Sequence, residues 1–159
     1  MSGTQDTFIP GIAVDRTTSG GSIKVSVGYY FYPNVNCSEA TCQLAVGYIS
    51  STNGGTSWSA PTVLRGPMTM DWLPNTTQGR MVGDYISSSF DAAHLAHPVF
   101  AEAYAPPSGD CVTSTPNCNQ PLEAPTSGLA AAAGANVAND PVVYNGPSLH
   151  GRSAFNLVR

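Results

Sequence analysis

Alternation of apolar and polar residues gives the clearest structural signal in this chain. Over residues 23–31, the apolar odd positions alternate with Lys24, Ser26 and Gly28, a period of two that is typical of a half-buried β-strand. Shorter apolar runs over residues 8–15, 44–49 and 58–64 predict three more strands. The four segments follow one another closely, so the pattern predicts an antiparallel, four-stranded meander.

A second, less regular set of strands is predicted after a loop rich in proline and threonine. Residues 81–87 and 95–104 predict two strands joined by a turn at 91–93. Residues 141–144 and 153–158 are candidates for two outer strands of the same unit. The sequence thus predicts a single all-β domain over residues 1–159, with one complete unit over about 8–64 and an incomplete one over about 80–159.

A polar corner joins the third and fourth predicted strands. Residues 51–58 read Ser-Thr-Asn-Gly-Gly-Thr-Ser-Trp, and asparagine and glycine tolerate the positive φ that a tight reversal needs. We expect Asn53 to bond to the turn backbone, Gly55 to supply the unusual φ, and Trp58 to pack on the preceding strand. These roles are structural, and direct ligand contact is the weaker alternative.

The corner resembles the Asp-box of bacterial neuraminidase repeats, in which Ser/Thr, Asp, Gly, Thr and Trp recur with fixed spacing. The matching positions here are Ser51, Asn53, Gly55, Ser57 and Trp58, with asparagine in place of aspartate and serine in place of threonine. A wider resemblance to sialidase-like Asp-box proteins covers about residues 9–104. It implies a β-propeller built from four-stranded blades.

The chain is too short for a closed propeller. A propeller has about four to eight blades, and the chain has strands for about two. The resemblance therefore implies an incomplete ring, which copies of the chain or a longer protein would complete. A compact β-sandwich is the alternative fold, and symmetric self-association into a homo-oligomer is the slightly favoured arrangement.

The resemblance also implies a candidate site. Sialidase chemistry uses arginines that bind a substrate carboxylate, a tyrosine nucleophile activated by a glutamate, and an aspartate as acid or base. The family's early Phe/Tyr-Arg-Ile-Pro motif reads Phe-Ile-Pro over residues 8–10, without the arginine. The candidates are Asp84, Tyr85 and Glu102 for catalysis and Arg80 for substrate binding.

Two tyrosines are candidates for stacking on a sugar. Residues 29–32 are all aromatic, so each face of their strand carries two rings. We place Tyr30 and Tyr32 in a substrate-binding role, because an aromatic face suits the apolar side of a pyranose. Packing in the core or at a subunit interface is the competing role for both pairs of rings.

The four cysteines form two local pairs, Cys37 with Cys42 and Cys111 with Cys118, each in a polar loop. Disulfides between neighbours would staple both loops and indicate an oxidising compartment. Free thiols and a zinc site are the alternatives, although both spacings are looser than in zinc knuckles. The expected location is extracytoplasmic or secreted, although the chain itself shows no signal peptide.

Composition excludes several classes of partner. Charged residues make up 10% of the chain, the net charge is −4, and Lys24 is the single lysine, so a nucleic-acid partner is not expected. No apolar run is long enough for a membrane span. The sequence contains no nucleotide-binding motif, so no cofactor is expected. His94 and His97 are three residues apart on a predicted strand, which places them on opposite faces and disfavours a shared metal.

These patterns lead to two hypotheses about function. The first is a non-catalytic Asp-box module that binds carbohydrate or another macromolecule, or acts as an assembly unit. The alternative is a fragment of a sialidase or related glycoside hydrolase, whose arginine cluster is completed by a neighbouring copy or by other sequence.

Overall fold

The computed structural model describes residues 5–34, 36–107, 111 and 118–132, and these residues form an all-β structure. Helical structure in these ranges consists of two short 3-10 turns, Gly20–Ser22 and Met70–Trp72. Neither turn has the length and apolar character that a membrane span requires. The predicted strands at 141–144 and 153–158 lie outside the described residues. The predicted all-β class is confirmed.

The first sheet contains four antiparallel strands in chain order. They are β1 (Thr7–Val14), β2 (Val25–Phe31), β3 (Gln43–Ser51) and β4 (Thr62–Thr69). The predicted meander is present, but its fourth strand begins at Thr62 instead of residue 58. The corner extends further than predicted, because Ser59 N–H donates to Ser50 O (2.7 Å) and closes the turn before β4 starts.

A second, smaller sheet is built around one central strand. The remaining strands are β5 (Asn75–Thr76), β6 (Gly79–Arg80), β7 (Ser87–Phe90), β8 (Leu95–Ala101), β9 (Leu122–Glu123) and β10 (Leu129–Ala130). The central strand is β8, which pairs along one edge with β7, while its two ends pair with the short strands β9 and β10. A separate hairpin consists of β5 and β6.

The prediction of a strand over residues 81–87 is wrong. Residues 81–86 have no strand structure, and β7 starts at Ser87, where the predicted strand ends. Gly83 has φ of 107° and Tyr85 is 87% exposed, so the segment turns in the left-handed region and runs along the surface. Val82 and Ile86 of this segment are nevertheless buried in the core.

The prediction that β2 is half-buried is also wrong, because both of its faces are covered. Tyr29 and Phe31 pack in one apolar cluster with Ala45 and Ile49. On the opposite face, Tyr30 belongs to the larger core. The other members of this core are Tyr32, Leu44, Val46, Met68, Met70, Leu73, Val82, Ile86, Phe100, Ala101 and Ala103.

Two glycines allow the second sheet to approach the first. Gly11 of β1 and Gly28 of β2 are partners across the ladder. A Cβ on Gly11 would lie 2.5 Å from Ile86 O, and a Cβ on Gly28 would lie 3.3 Å from Pro98 Cβ. The absence of side chains at these paired positions therefore leaves the space that Ile86 and Pro98 fill.

Both predicted disulfides are present. Cys37 bonds to Cys42 with a Cα–Cα distance of 4.8 Å, and Cys111 bonds to Cys118 with a Cα–Cα distance of 5.1 Å. These bonds fit an extracytoplasmic location.

We expect Gly11→Ala to lower the free energy of unfolding by about 1–3 kcal/mol, because the new methyl group would overlap Ile86 O and force the sheets apart. Urea denaturation followed by intrinsic fluorescence measures the change. Gly21→Ala is the matched control, since a Cβ there has no neighbouring atom within 4 Å. Equal stabilities for the two variants would contradict this account of the packing between the sheets.

Candidate functional site

The corner at residues 51–58 is held by its own side chains. Asn53 Oδ1 accepts hydrogen bonds from Ser51 Oγ (2.9 Å) and Ser57 N (2.8 Å), while Asn53 Nδ2 donates to Ser57 Oγ (2.8 Å). Ser51 Oγ in turn accepts from Asn53 N (3.2 Å) and Gly55 N (2.9 Å). The polar groups of the corner are thus directed at the turn itself.

Backbone geometry and packing complete the corner. Gly54 and Gly55 have φ of 68° and 87°, values that favour glycine. Trp58 packs against the apolar cluster formed by β2 and β3, and its ring would lie 3.3 Å from a Cβ on Gly55. The corner therefore has the contacts expected for a structural turn.

Arg80, placed by the sequence in a substrate-binding role, is enclosed by its own chain. Its side chain is 4% exposed. Nη1 donates to Leu73 O (3.0 Å) and Cys111 O (2.9 Å), Nη2 lies 3.3 Å from Asp71 Oδ1, and Nε lies 3.3 Å from Glu39 Oε1. The structure turns this guanidinium inward, where it connects its own hairpin to three other segments of the chain.

Tyr30 and Tyr32 are also core residues in the structure. Tyr30 is fully buried, and its hydroxyl donates to Ala101 O (2.8 Å) and accepts from Ala101 N (2.9 Å). Burial raises the pKa of both Tyr30 and Tyr32 to about 12. Neither ring offers a free face to a sugar, because the second sheet and β1 cover this side of β2.

Glu102 belongs to a cluster that the sequence did not reveal. Its carboxylate lies 3.0 Å from Arg65 Nε and accepts a hydrogen bond from the Tyr104 hydroxyl (3.1 Å). The same hydroxyl lies 3.4 Å from Glu123 Oε1. Burial raises the pKa of Tyr104, and the two carboxylates raise it further. This keeps the hydroxyl protonated as a donor.

The other two catalytic candidates stand apart from this cluster. Asp84 and Tyr85 are exposed on the segment before β7. Tyr104, and not Tyr85, is the tyrosine that contacts Glu102. A usable signal was present, because residues two apart on an extended segment share a face, which pairs Glu102 with Tyr104.

An open groove of about 510 Å³ lies between the end of β1 and β7. Ile12 and Val14 line it and remain 65% and 51% exposed. Its volume lies within the range of small-molecule sites. The lining residues are Ile12, Ala13, Val14, Asp15, Arg16, Thr17, Ser88, Ser89, Phe90 and Asp91.

A buried aspartate organises one end of the groove. Asp15 is 2% exposed, and its Oδ1 accepts from Thr17 Oγ1 (2.7 Å) and Thr17 N (3.0 Å). Its Oδ2 lies 2.7 Å from His94 Nδ1. The hydrogen bond from the Thr17 hydroxyl is the main reason that the pKa of Asp15 is lowered; burial opposes it, and His94 adds to it.

The turn that carries His94 is held by a second aspartate. Asp91 Oδ1 accepts from Ala93 N and Leu95 N, both at 2.9 Å, and Asp91 Oδ2 lies 3.0 Å from His97 Nε2. His94 has φ of 63°, a left-handed value that is uncommon outside glycine. The sequence suggested His94 only as a metal-ligand candidate. It gave no sign of the contact with Asp15, which lies 79 residues away.

The two histidines have separate carboxylate partners. His94 lies in the turn after β7, whereas His97 lies within β8, so the prediction that one strand carries both is wrong. Within the described part of the chain, no three His, Cys, Asp or Glu residues are grouped so that they could hold a metal ion.

Comparison of the chain with protein families, with curated proteins and with solved structures finds no match.

We expect Asn53→Ala to destabilise the fold by about 1–3 kcal/mol, because it removes three hydrogen bonds and leaves Ser57 N without its acceptor. Asn53→Asp is the matched control. A carboxylate can still accept from Ser51 and from the Ser57 backbone, and the Ser57 hydroxyl can rotate to donate to it. In urea denaturation, the free energy of unfolding of Asn53→Asp should therefore be close to that of wild type. If Asn53→Ala is as stable as Asn53→Asp, the structural role of Asn53 is contradicted.

The lowered pKa of Asp15 predicts acid sensitivity with a defined sign. When the pKa of a carboxyl group is lower in the folded state than in the unfolded state, the group stabilises the fold at every pH above its unfolded pKa, which is near 4. The contribution disappears as the pH falls through the folded pKa. In thermal melts, Asp15→Asn should melt below wild type at pH 5, and the difference should narrow towards pH 2.5.

Asp84→Asn is the control for this prediction, because Asp84 is exposed. It should melt in parallel with wild type over the same pH range. A constant difference between Asp15→Asn and wild type would show that ionisation of Asp15 contributes nothing to stability.

Proposed function

We propose that the chain is a non-catalytic, β-propeller-type module of the sialidase-like Asp-box kind, and that it binds carbohydrate in the groove between β1 and β7. The groove is the observation that carries this proposal. It places exposed apolar side chains, Ile12 and Val14, beside the hydroxyl and carboxylate groups of Thr17, Ser89 and Asp91. Sugar-binding sites need both kinds of group, because a pyranose presents C–H faces and a rim of hydroxyls.

The order and packing of the strands support the propeller interpretation. In a propeller blade, four antiparallel strands run in chain order from the central channel outwards. The strands β1 to β4 have this order, and β7 of the second sheet lies next to β1. In this interpretation, β1 and β7 are the inner strands of two neighbouring blades, and the groove is a part of the channel wall.

Completion of a ring requires further blades. The proposed source is self-association of copies around a shared axis, since symmetric assembly is the usual arrangement for identical chains. A longer protein that contains this chain would provide blades in the same way.

A sialidase-like glycoside hydrolase is the second candidate. The hydrogen bond between Tyr104 and Glu102 favours it, because a tyrosine nucleophile needs a neighbouring base. Two contacts weigh against it. Arg80 is bonded within the chain, and Arg65 is paired with Glu102, so two of the three described arginines are already engaged, and Arg16 alone is not a cluster. This candidate therefore depends on arginines supplied from outside the two sheets.

Glycan-array binding and turnover of a fluorogenic sialoside separate the two candidates. We expect binding to immobilised glycans and no turnover. Turnover that is abolished by Glu102→Gln or Tyr104→Phe would reject the binding module and support the glycoside hydrolase. The variant Tyr85→Phe tests whether Tyr85 is the nucleophile instead. Silence in both assays would reject both candidates.

Light scattering tests the assembly. We expect a mass of two or three chains, which would provide about four to six blades. A strict monomer over the micromolar range would reject self-association. It would not affect the carbohydrate-binding proposal, which the glycan array tests separately.

A further inference from the structure

We propose that the groove selects a neutral, hydroxyl-rich sugar and discriminates against one that carries a carboxylate, with Phe90 as the packing surface and His94 as a hydrogen-bonding group. This inference rests on the proposed carbohydrate binding and specifies the substrate class of that site.

The contacts of Asp15 fix the chemistry of the His94 ring. A carboxylate can only accept hydrogen bonds, so His94 Nδ1, 2.7 Å from Asp15 Oδ2, must carry the proton that is donated. The Thr17 hydroxyl donates its proton to Asp15 Oδ1 and therefore can only accept from the same Nδ1–H at 3.1 Å. In the neutral ring, Nε2 is left as the acceptor. The His94 side chain is 42% exposed and adjoins the groove through Asp15, which lines it.

The charges along the groove disfavour an anionic ligand. Two carboxylates, Asp15 and Asp91, line it against one guanidinium, Arg16. Recognition of a sugar carboxylate usually requires bidentate arginines that are free to bind it. Arg80 is 4% exposed and bonded within the chain, and Arg65 is paired with Glu102, so Arg16 is the one described arginine that lines the groove. A neutral sugar avoids repulsion by the carboxylates and can donate its hydroxyl protons to the exposed Asp91.

The apolar side chains give the second half of the recognition. Phe90 lies at one side of the groove, while Ile12 and Val14 present exposed side chains from β1. A sugar ring has one face of axial C–H groups, and this face can pack on such a surface while its hydroxyls reach the polar end.

The shape of the groove favours a sugar over an extended peptide. A peptide strand between β1 and β7 would need about 4.8 Å on each side for its ladders. At Gly11, the backbone of β1 lies too close to Ile86 to accept even a methyl group between them. On the other side of the groove, Asp15 and His94 join the two sheets.

The test compares matched ligands on the full chain. Neutral oligosaccharides ending in glucose, galactose or mannose are titrated by calorimetry beside the same oligosaccharides capped with sialic acid. We expect each neutral member that binds to bind at least about tenfold tighter than its capped counterpart, because the carboxylate would be desolvated next to Asp15 and Asp91, which outnumber the one guanidinium of the groove, Arg16.

Two variants test the location, one at Phe90 in the groove lining and one at His94, which adjoins the groove through its bond to Asp15. Phe90→Ala removes the packing surface, and His94→Asn removes the imidazole with a residue that tolerates positive φ. Each should weaken binding of the neutral ligand about tenfold or more. Val63→Ala, at an exposed position of β4 outside the groove lining, is the control and should bind as wild type. Circular dichroism melts identify any variant that fails to fold, and saturation-transfer NMR on the wild type then maps the bound ligand independently.

The outcomes separate this inference from the proposed function. Absence of binding to every glycan would reject the proposed carbohydrate binding itself. Tighter binding of the sialylated ligands, or neutral binding that survives both the Phe90 and the His94 variants, would overturn the inference and leave carbohydrate binding standing.

Discussion

The contact between the two sheets at Gly11 and Gly28 is the constraint on which the rest of the structure depends. Because these paired positions lack side chains, Ile86 and Pro98 settle directly on the backbone of β1 and β2. That approach brings Ala101 within hydrogen-bonding distance of the buried Tyr30 hydroxyl. It also sets β7 beside the end of β1, so the groove follows from the same packing. One glycine pair thus determines both the core and the candidate site.

Many residues with chemically useful side chains serve the fold in this protein. Arg80 binds carbonyl and carboxylate oxygens of its own chain, and Asn53 completes a turn. Tyr30, which looked suited to a sugar, fills the core. The groove differs because its polar groups lie beside exposed Ile12 and Val14. Side chains that are both oriented and accessible distinguish a candidate binding surface from a structural network.

Interactions between residues close in the sequence could be predicted, whereas most interactions between distant residues could not. For the corner at residues 51–58, the sequence predicted the bond of Asn53 to the turn backbone, the φ of Gly55 and the packing of Trp58, because the bonds of the corner join residues at most four apart. Alternation also located β2, but it could not show that both faces are buried, since the cover for one face comes from residues of the second sheet. The contact of Asp15 with His94 spans 79 residues and has no local signature. The contact of Glu102 with Tyr104, by contrast, has a local signature, because residues two apart on an extended segment share a face.

The contacts of Arg80 have a consequence for the motions of the molecule. Its guanidinium joins Glu39, inside the first disulfide loop, to the carbonyl of Cys111, at the start of the second. The same side chain also contacts Leu73 and Asp71 near the second 3-10 turn. Loops that share one buried cation cannot separate from it independently, because each departure leaves a buried charge with fewer partners. The first stapled loop and the backbone at Cys111, although more than sixty residues apart in the chain, should therefore leave the guanidinium as one cooperative unit.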